Sequence, residues 1–291
     1  MTARTLQKNS TDLGASTIHP TAVVAPSAAI HAGVSVGPHA VIDGDVVLHE
    51  GVSVGPNVVI TGDTEVGAGT TIHAGAVIGG PPQDLSHNGE AVRVRIGARC
   101  VLREHVTIHA GTARGRAETI LGDDCFLMVG AHVGHDCVVG DHVILSNNVL
   151  LAGHTFVGDY VLIGGGAAIV QRVRIGQHAF ISGLSGVTKD VIPFAYVIGH
   201  RGRLDSLNLV GLKRRGFSRQ CIRTLLAAYG ILFDDSALFR DRLQKLRDEM
   251  GEDTHVRAVL EFIDAMPNRP LLQPLPKNAP ALETDLLEAG V

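Results

Sequence analysis

The sequence contains no tryptophan and little of the other aromatic residues, which make up only 4% of its 291 positions. Aromatic side chains normally supply much of the bulk of a globular core. The apolar content, 45% of the chain, must therefore come mainly from Val, Ile, Leu and Ala. Together with 35 glycines, this composition favours a repetitive β architecture over a helix bundle or a doubly wound sheet.

The chain also lacks a basic excess and long apolar runs. Its net charge of -4 argues against a nucleic-acid binder, which normally carries a basic domain. No stretch reaches the roughly 18 apolar residues of a membrane span, and residues 1–10 contain no apolar segment of a secretory signal. We therefore expect a cytoplasmic protein that neither binds nucleic acid nor inserts into a membrane.

Cysteine is scarce as well. Cys100, Cys125, Cys137 and Cys221 form neither a C-x-x-C pair nor a zinc-ligand spacing. We expect them to be small, reduced and mostly buried side chains of a cytosolic protein.

What the sequence does contain is a six-residue repeat. Every sixth residue is Ile, Val or Leu throughout the blocks 18–78, 96–108 and 121–187, and glycine often follows it. Such alternation indicates short strands, and glycine permits a bend where a side chain would obstruct it. Three strands per turn make a coil of about 18 residues, stacked about 4.8 Å from the next. The pattern predicts a parallel β-helix of triangular section.

Changes in this pattern divide the chain. We predict an N-terminal extension at 1–15, the β-helix at 16–192, a helical C-terminal domain at 193–266 and a proline-rich tail at 267–291. Two glycine-rich polar interruptions, at 80–93 and 110–118, indicate loops on the rigid coil, where function often resides.

The C-terminal part has helical spacing of its apolar residues. Pro193 and residues 199–203 indicate a linker, and Ser218 is a candidate N-cap for a helix at 219–233. Further helices are predicted at 236–250 and 254–265. We expect an extended or disordered tail, docked on the helices, with one short turn at 282–287.

Candidate chemistry lies in the segment AHVGHDC at 131–137. His132 and His135 are expected to project from the body of the coil, and Asp136 adjoins His135. His154 follows about one coil later, so it should lie near His135 with an offset of one residue. A neighbouring carboxylate raises imidazole basicity and fixes its orientation, as a general base near neutral pH requires.

Two other interpretations stay open at this point. Clustered histidines on a β-helix could hold zinc, as in carbonic anhydrases of this fold, although those use an H-x4-H pair. The spacings from His132 to His135 and from His105 to His109 differ from it. A non-catalytic β-helix protein is the second alternative. Zinc analysis and an acyl-transfer assay separate these possibilities.

A family resemblance rests on four further motifs. These are SNNVLLAGH at 146–154, SGLSGVTKDV at 182–191, NLVGLKRRGFSR at 208–219 and the loop GGPPQDLSHNGE at 79–90. With AHVGHDC, they closely resemble the UDP-N-acetylglucosamine O-acyltransferase family of hexapeptide-repeat enzymes over about residues 16–233. The resemblance implies a left-handed β-helix and a homotrimer with active sites between subunits.

The resemblance also implies a reaction. The family transfers a 3-hydroxyacyl chain from acyl carrier protein to the 3-hydroxyl of UDP-N-acetylglucosamine, in the first step of lipid A biosynthesis. By motif, His135 corresponds to the general base, Asp136 to the residue that orients it, and Gly153 to the backbone N–H of the oxyanion hole. No metal or cofactor is implied, because the carrier thioester is the co-substrate.

Further family positions correspond to substrate contacts. Asp84, His132, His154 and Gln171 match pocket residues, Asn208 matches a uridine contact, and Arg215 matches a residue that faces the phosphates. Lys213 and Arg214 complete a basic cluster, expected either to contact the carrier or the phosphates or to be a solvated helix start. Gly183 matches a position that limits acyl length, and its small size favours a longer chain unless Leu184 shortens the groove.

The sequence departs from the family at Ser86, Val170 and Val210, where relatives carry lysine, histidine and an acidic residue. We expect the detailed nucleotide contacts at these three positions to differ from those of the relatives. A related N-acyltransferase, which usually bears an extra N-terminal uridine-binding domain, is the alternative within the fold, and a 3-amino sugar acceptor also stays possible.

Overall fold

The computed structural model describes residues 14–274, in which short strands form three sheets, here called A, B and C. In spatial order, sheet A contains β1 (Thr17–Ile18), β4 (Ser35–Val36), β7 (Ser53–Val54), β10 (Thr71–Ile72), β13 (Val101–Leu102), β16 (Phe126–Leu127), β19 (Ile144–Leu145), β22 (Leu162–Ile163), β25 (Phe180–Ile181), β27 (Ala195–Ile198) and β28 (Arg203–Leu207). Sheet B contains β2 (Val23–Val24), β5 (Val41–Asp43), β8 (Val59–Thr61), β11 (Val77–Gly80), β14 (Thr107–His109), β17 (His132–Val133), β20 (Leu150–Leu151), β23 (Ala168–Ile169) and β26 (Gly186–Val187). Sheet C contains β3 (Ala29–Ile30), β6 (Val46–Leu48), β9 (Asp63–Val66), β12 (Arg93–Ile96), β15 (Glu118–Leu121), β18 (Val138–Val139), β21 (Phe156–Val157) and β24 (Arg174–Ile175).

Each strand pairs in parallel with the strand one coil further on. Val133 lies beside Leu151, and Leu151 lies beside Ile169, so the repeated apolar residues stack in a ladder. Val133 and Leu151 are completely buried in the core of the coil. The fold is the parallel β-helix that the hexapeptide pattern predicts, with the left hand that the family resemblance implies.

The coil turns at three corners between the sheets. We call the corner from sheet B to sheet C the BC corner (134–137, 152–155 and 170–173) and name the AB corner (146–149, 164–167 and 182–185) and the CA corner (140–143, 158–161 and 176–179) in the same way. Non-glycine residues at the corners adopt positive φ, such as 59° at Asp136 and 61° at His154. Asp, Asn and His tolerate this conformation better than most residues, so the corners can carry polar side chains.

The coil continues beyond the expected linker. β27 pairs in parallel with β25, and β28 then returns antiparallel to β27. The prediction of a linker at Pro193 and 199–203 is therefore wrong, because these residues lie beside or within strands that extend sheet A.

Helices follow the last strand. They are α1 (Leu209–Arg214), α2 (Arg219–Leu232), α3 (Phe239–Met250) and α4 (Thr254–Asp264). The hydroxyl of Ser218 accepts a hydrogen bond from the Cys221 N–H, which confirms the predicted N-cap of α2. α1 was not anticipated, and α3 begins later than predicted because Ser236 instead forms a local turn with Asp234.

The first part of the tail is docked on the coil. Leu271 bridges Asp190, and Pro274 bridges Leu204 of β28, so this segment extends sheet pairing rather than covering the helices as expected. The predicted turn at 282–287 lies outside the described residues, as does most of the N-terminal extension at 1–15. Within 14–274, no helix is long and apolar enough to cross a membrane. Cys100, Cys125 and Cys137 are buried free thiols, and Cys221 is half-buried.

Candidate active site

The BC corner brings three predicted site residues together. The Nδ1 of His135 lies 2.8 Å from Oδ2 of Asp136, and the ring of His154 packs edge-on against that of His135 at 5.0 Å between centroids. His135 is only 6% exposed. The His135 side chain is therefore largely covered, and the loop at 110–118 contacts its neighbour Asp136 at this corner.

The Asp136 carboxylate is held from several sides. It accepts hydrogen bonds from the Thr112 N–H and hydroxyl, the Arg116 N–H and His135. Burial by itself raises the pKa of Asp136, but these hydrogen bonds outweigh burial and hold the pKa below its usual value. The carboxylate is therefore ionised at neutral pH.

Glycine in the loop makes this arrangement possible. A Cβ at Gly115 would overlap the carboxylate of Asp136, so only a residue without a side chain allows the loop to approach so closely. The sequence marked this loop as an interruption but gave no sign that Thr112 and Arg116 bind Asp136.

The hydrogen bond to Asp136 also decides which nitrogen of His135 is free. An ionised carboxylate can only accept, so Nδ1 carries a proton, and in the neutral ring Nε2 carries the lone pair. A Cβ placed on Gly153 would overlap the Cε1 and Nε2 atoms of the His135 ring, so these atoms face Gly153. Within 14–274, the Gly153 N–H donates no hydrogen bond to the protein. A basic nitrogen and a free backbone donor thus lie side by side.

The neighbouring histidines are held neutral. Burial lowers the pKa of His132, and His109 and His135 act in the same direction when their rings are protonated. Burial also lowers the pKa of His154, partly opposed by Asp136. The Nδ1 of His132 lies 2.8 Å from the Thr107 hydroxyl. Neutral imidazoles can donate or accept hydrogen bonds, as contacts to a sugar require.

His132, His135 and Gly153 line a cavity of about 390 Å³ on sheet B, here called the catalytic cavity. Its other walls include Leu150, Ala168, Val170 and two glutamines. Gln171 was predicted, whereas Gln83 was missed, although it adjoins the predicted Asp84. Asp84 itself is half-buried next to this cavity and accepts a hydrogen bond from the Ser86 N–H, which holds the pKa of its carboxyl below the usual value.

The remaining predicted contacts lie elsewhere on the chain. A second cavity, of about 420 Å³ on sheet A, is lined by Asn208, Val210, Arg214 and Arg215, and we call it the sheet A cavity. Gly183 lies exposed at the AB corner, on the opposite edge of sheet B from His135. One chain therefore does not bring these residues to the catalytic cavity.

Within the sheet A cavity, Asn208 is already engaged. Its side chain accepts from the Gly211 N–H as the N-cap of α1 and donates to the His178 carbonyl. Arg215 lies over the ring of Tyr160, and its Nη1 is buried without a partner among the described residues. Arg215 thus keeps unused capacity to donate hydrogen bonds.

The basic cluster does not start a helix. Lys213 and Arg214 lie in the last turn of α1, where positive charge complements the helix dipole. The interpretation as a solvated helix start is therefore wrong, because the cluster lies at the end of α1.

Metal-ligating atoms also meet at the BC corner. His135, Asp136 and His154 each offer one atom, and these lie within 4.8 Å of one another. Among the described residues, no other cluster of this kind is present. However, the Asp136 oxygens already accept hydrogen bonds from Thr112, Arg116 and His135, which fits an orienting carboxylate better than a metal ligand.

The sequence and the fold are similar to one family of enzymes. A model described as Udp N-acetylglucosamine O-acyltransferase, domain 2, matches residues 190–271, and a bacterial transferase hexapeptide model matches residues 45–80 and 118–153. The acyl-[acyl-carrier-protein]–UDP-N-acetylglucosamine O-acyltransferase of Caulobacter vibrioides is 54% identical over 67% of this chain and 74% of its own. The protein of that name from Thermodesulfovibrio yellowstonii is 43% identical over 85% of this chain and 96% of its own. Among solved structures, LpxA from Acinetobacter baumannii has a TM-score of 0.85 and 32% identity, over 91% of this chain and all of its own.

Proposed function

The chain belongs to the UDP-N-acetylglucosamine O-acyltransferase family, and from this premise we propose that His135 is the general base of its reaction. The enzyme transfers a 3-hydroxyacyl chain from acyl carrier protein to the 3-hydroxyl of UDP-N-acetylglucosamine, which is the first step of lipid A biosynthesis.

In the proposed mechanism, Nε2 of His135 removes the proton of the sugar 3-hydroxyl. The oxygen attacks the thioester carbonyl, and the Gly153 N–H donates to the oxyanion that forms. Collapse of this intermediate breaks the carbon–sulfur bond, and the carrier thiolate takes the proton back from His135. Asp136 stabilises the imidazolium in between, so no covalent enzyme intermediate and no metal are needed.

The observation that carries this proposal is the position of Nε2. It faces the Gly153 backbone in a cavity, while Nδ1 is fixed by a carboxylate of lowered pKa. A buried histidine that served only packing would not need an ionised partner held by a covering loop.

Zinc chemistry at the same three residues is the second candidate. It predicts stoichiometric zinc in the purified protein and loss of activity with chelators. We propose that neither occurs, because the hydrogen bonds of Asp136 already satisfy its oxygens.

We further propose a homotrimer in which sheet B of one chain packs on sheet A of the next. The outer face of sheet B exposes Val77 and Leu150, and that of sheet A carries Phe126 and Phe180, half-buried. The outer face of sheet C instead carries ion pairs, such as Arg95 to Glu118 at 2.6 Å. A head-to-tail contact between two different faces closes into a ring when the rotation suits it, and a triangular coil suits three.

This packing would place the sheet A cavity of one chain opposite the catalytic cavity of its neighbour. Asn208, Arg214 and Arg215 would then reach a nucleotide whose sugar lies at His135 of the other chain. Gly183, at the edge of sheet B, would line the acyl groove between the chains. Lys213 would remain at the rim, available to the carrier or the phosphates.

The test is product analysis with the purified chain. UDP-N-acetylglucosamine and its 3-amino analogue are offered with carrier-bound 3-hydroxyacyl chains of several lengths, and products are identified by mass spectrometry and NMR. We expect an ester at the 3-oxygen. Absence of any transfer would overturn the function, and exclusive amide formation would assign the chain to the 3-amino acceptor.

A further inference from the structure

A third cavity, of about 350 Å³, lies on sheet C beside the BC corner. Four arginines line it: Arg116, Arg172, Arg174 and Arg269. We call it the arginine cavity. The mechanism above uses none of these guanidinium groups, and neither composition nor motif pointed to them.

Two of the arginines are unpaired. Arg116 and Arg172 are exposed, and within 14–274 their side chains form no hydrogen bond and no ion pair. Arg116 is nevertheless fixed at its backbone, whose N–H donates to Asp136 at 2.7 Å. Its side chain therefore starts from a rigid point of the loop.

The other two arginines share one carboxylate. Arg174 donates from Nε to Asp190 at 2.7 Å, and Arg269 donates from Nη2 to the other oxygen at 3.0 Å. Asp190 is completely buried, and Arg174 is 8% exposed with its Nη2 unpartnered among the described residues. Asp190 and the ionised Asp136 supply two negative charges against four guanidinium groups, so the cavity retains excess positive charge.

The arginine cavity touches the catalytic corner from the other side. His135 and Gly153 line the catalytic cavity, whereas their sequence neighbours Asp136 and His154 line the arginine cavity. In the proposed trimer, sheet C lies outside the contact between sheets A and B. The arginine cavity thus stays open to solvent where the catalytic cavity is covered.

We propose that the arginine cavity binds the phosphodiester of the phosphopantetheine arm that carries the acyl thioester. This inference rests on the proposed function, because a carrier protein too large to enter must reach His135 through its arm. Guanidinium groups suit a phosphodiester. Phe156, 41% exposed, and Met266, 51% exposed, offer apolar walls to the arm's dimethyl group. The acceptor's diphosphate is assigned to Arg215 on sheet A instead.

The experiment compares two small acyl donors that differ only in this phosphodiester: 3-hydroxyacyl-methylphosphopantetheine, whose methyl ester keeps the phosphate a diester, and 3-hydroxyacyl-pantetheine. We expect the unmodified chain to use the phosphorylated donor with about tenfold or higher kcat/KM, as a pair of charge-assisted hydrogen bonds provides. In Arg116→Gln/Arg172→Gln, the ratio between the donors should fall to within about twofold of one. Because a ratio is measured, a general loss of activity in the variant does not affect it.

The control is Arg240→Gln, which removes one guanidinium charge from a side chain that is 87% exposed in α3. It should keep the donor ratio of the unmodified chain. Arg172→Lys, which retains the charge but not the planar fork, should give an intermediate ratio.

Other outcomes overturn the inference in distinguishable ways. A ratio near one in the unmodified chain would show that the phosphate is not bound. A high ratio in the double variant as well would show that the phosphate binds outside the arginine cavity. A raised KM for UDP-N-acetylglucosamine with an unchanged donor ratio would assign the cavity to the acceptor. Failure of the unmodified chain to acylate UDP-N-acetylglucosamine even from the complete carrier would instead overturn the proposed function.

Discussion

The Nδ1 of His135 and the Oδ2 of Asp136 lie 2.8 Å apart inside the corner of a β-helix, and this bond leaves Nε2 facing Gly153. The two residues are adjacent in sequence, and Asp136 reaches back to its neighbour because its backbone takes the positive φ of the corner. The geometry of the fold therefore builds the base and its partner from two consecutive residues.

Replacing the base should abolish catalysis without unfolding the protein. We expect His135→Ala to lower kcat by about 10³-fold, within the range that general base catalysis contributes. The measurement is steady-state transfer, with circular dichroism as the check of folding. His31→Ala, at an exposed corner of an N-terminal coil, is the control and should retain normal turnover. Near-normal turnover in His135→Ala would contradict the proposed mechanism.

A methyl group at Gly153 should displace the base. A Cβ there overlaps the His135 ring, so Gly153→Ala should lower kcat/KM by about 100-fold or more. Gly230→Ala is the matched control, because a Cβ at this position of α2 meets nothing within 4 Å. It should leave activity intact and stabilise the helix by up to about 1 kcal/mol. Equal activity losses in both variants would contradict the assigned contact.

The Thr112 hydroxyl should tune the acid side of the pH profile. Its hydrogen bond helps to hold the pKa of Asp136 low, so Thr112→Val raises this pKa. The carboxylate then becomes protonated at a higher pH as the solution is acidified, and activity should be lost at a higher pH than in the unmodified chain. The measurement is kcat/KM from about pH 3 to about pH 8. Thr188→Val, at an exposed position, should not move the profile, and an unmoved profile in Thr112→Val would refute the role of the hydroxyl.

Acid should destabilise the ring stack at the CA corner. His178 is stacked between Tyr160 and Phe194, and burial lowers its pKa from 6.5 to about 4. As the pH falls below about 6.5, His178 becomes protonated in the unfolded chain, whereas in the folded chain it stays neutral until about pH 4. The contribution of His178 to the free energy of unfolding is therefore complete above about pH 6.5 and is lost as the pH falls to about 4. Since the ring is partly solvated, we expect a contribution of about 1–2 kcal/mol rather than the full shift.

The matched variants are His178→Asn and His142→Asn, which both keep a residue that tolerates positive φ. Denaturant unfolding at several pH values should show a flatter pH dependence in His178→Asn. His142 lies at the exposed end of the same stack, and its variant should keep the slope of the unmodified chain. Equal slopes in all three proteins would contradict the prediction.

The outer faces of the sheets should respond differently to charge. Val77→Arg places a cation on the apolar face of sheet B, where desolvation in a subunit contact is costly, so the mass in solution should fall from three chains toward one. Val47→Arg makes the same change on sheet C and should leave the trimer intact. Sedimentation equilibrium measures both, and a trimer that tolerates Val77→Arg would argue against the proposed contact.

The six-residue repeat predicts the stacked coil. An apolar residue at every sixth position leaves each coil with an open core that only stacking can close, so the parallel β-helix follows from the pattern, whereas its left hand follows from the family resemblance. The sequence by itself also identified the family and marked His135, Asp136 and Gly153, because their motifs occupy corners where the repeat carries unusual residues.

Tertiary structure decided what lies around those residues. The burial of His135, the hydrogen bonds from Thr112 and Arg116 to Asp136, and the meeting of Arg172 with Arg269 join loops that no repeat period relates. β27 was not predicted for the same reason, because it becomes a strand by pairing its backbone with the edge of β25. Periodicity specifies which residues point inward, whereas a site is built by outward-pointing side chains and by the interruptions that fold over them.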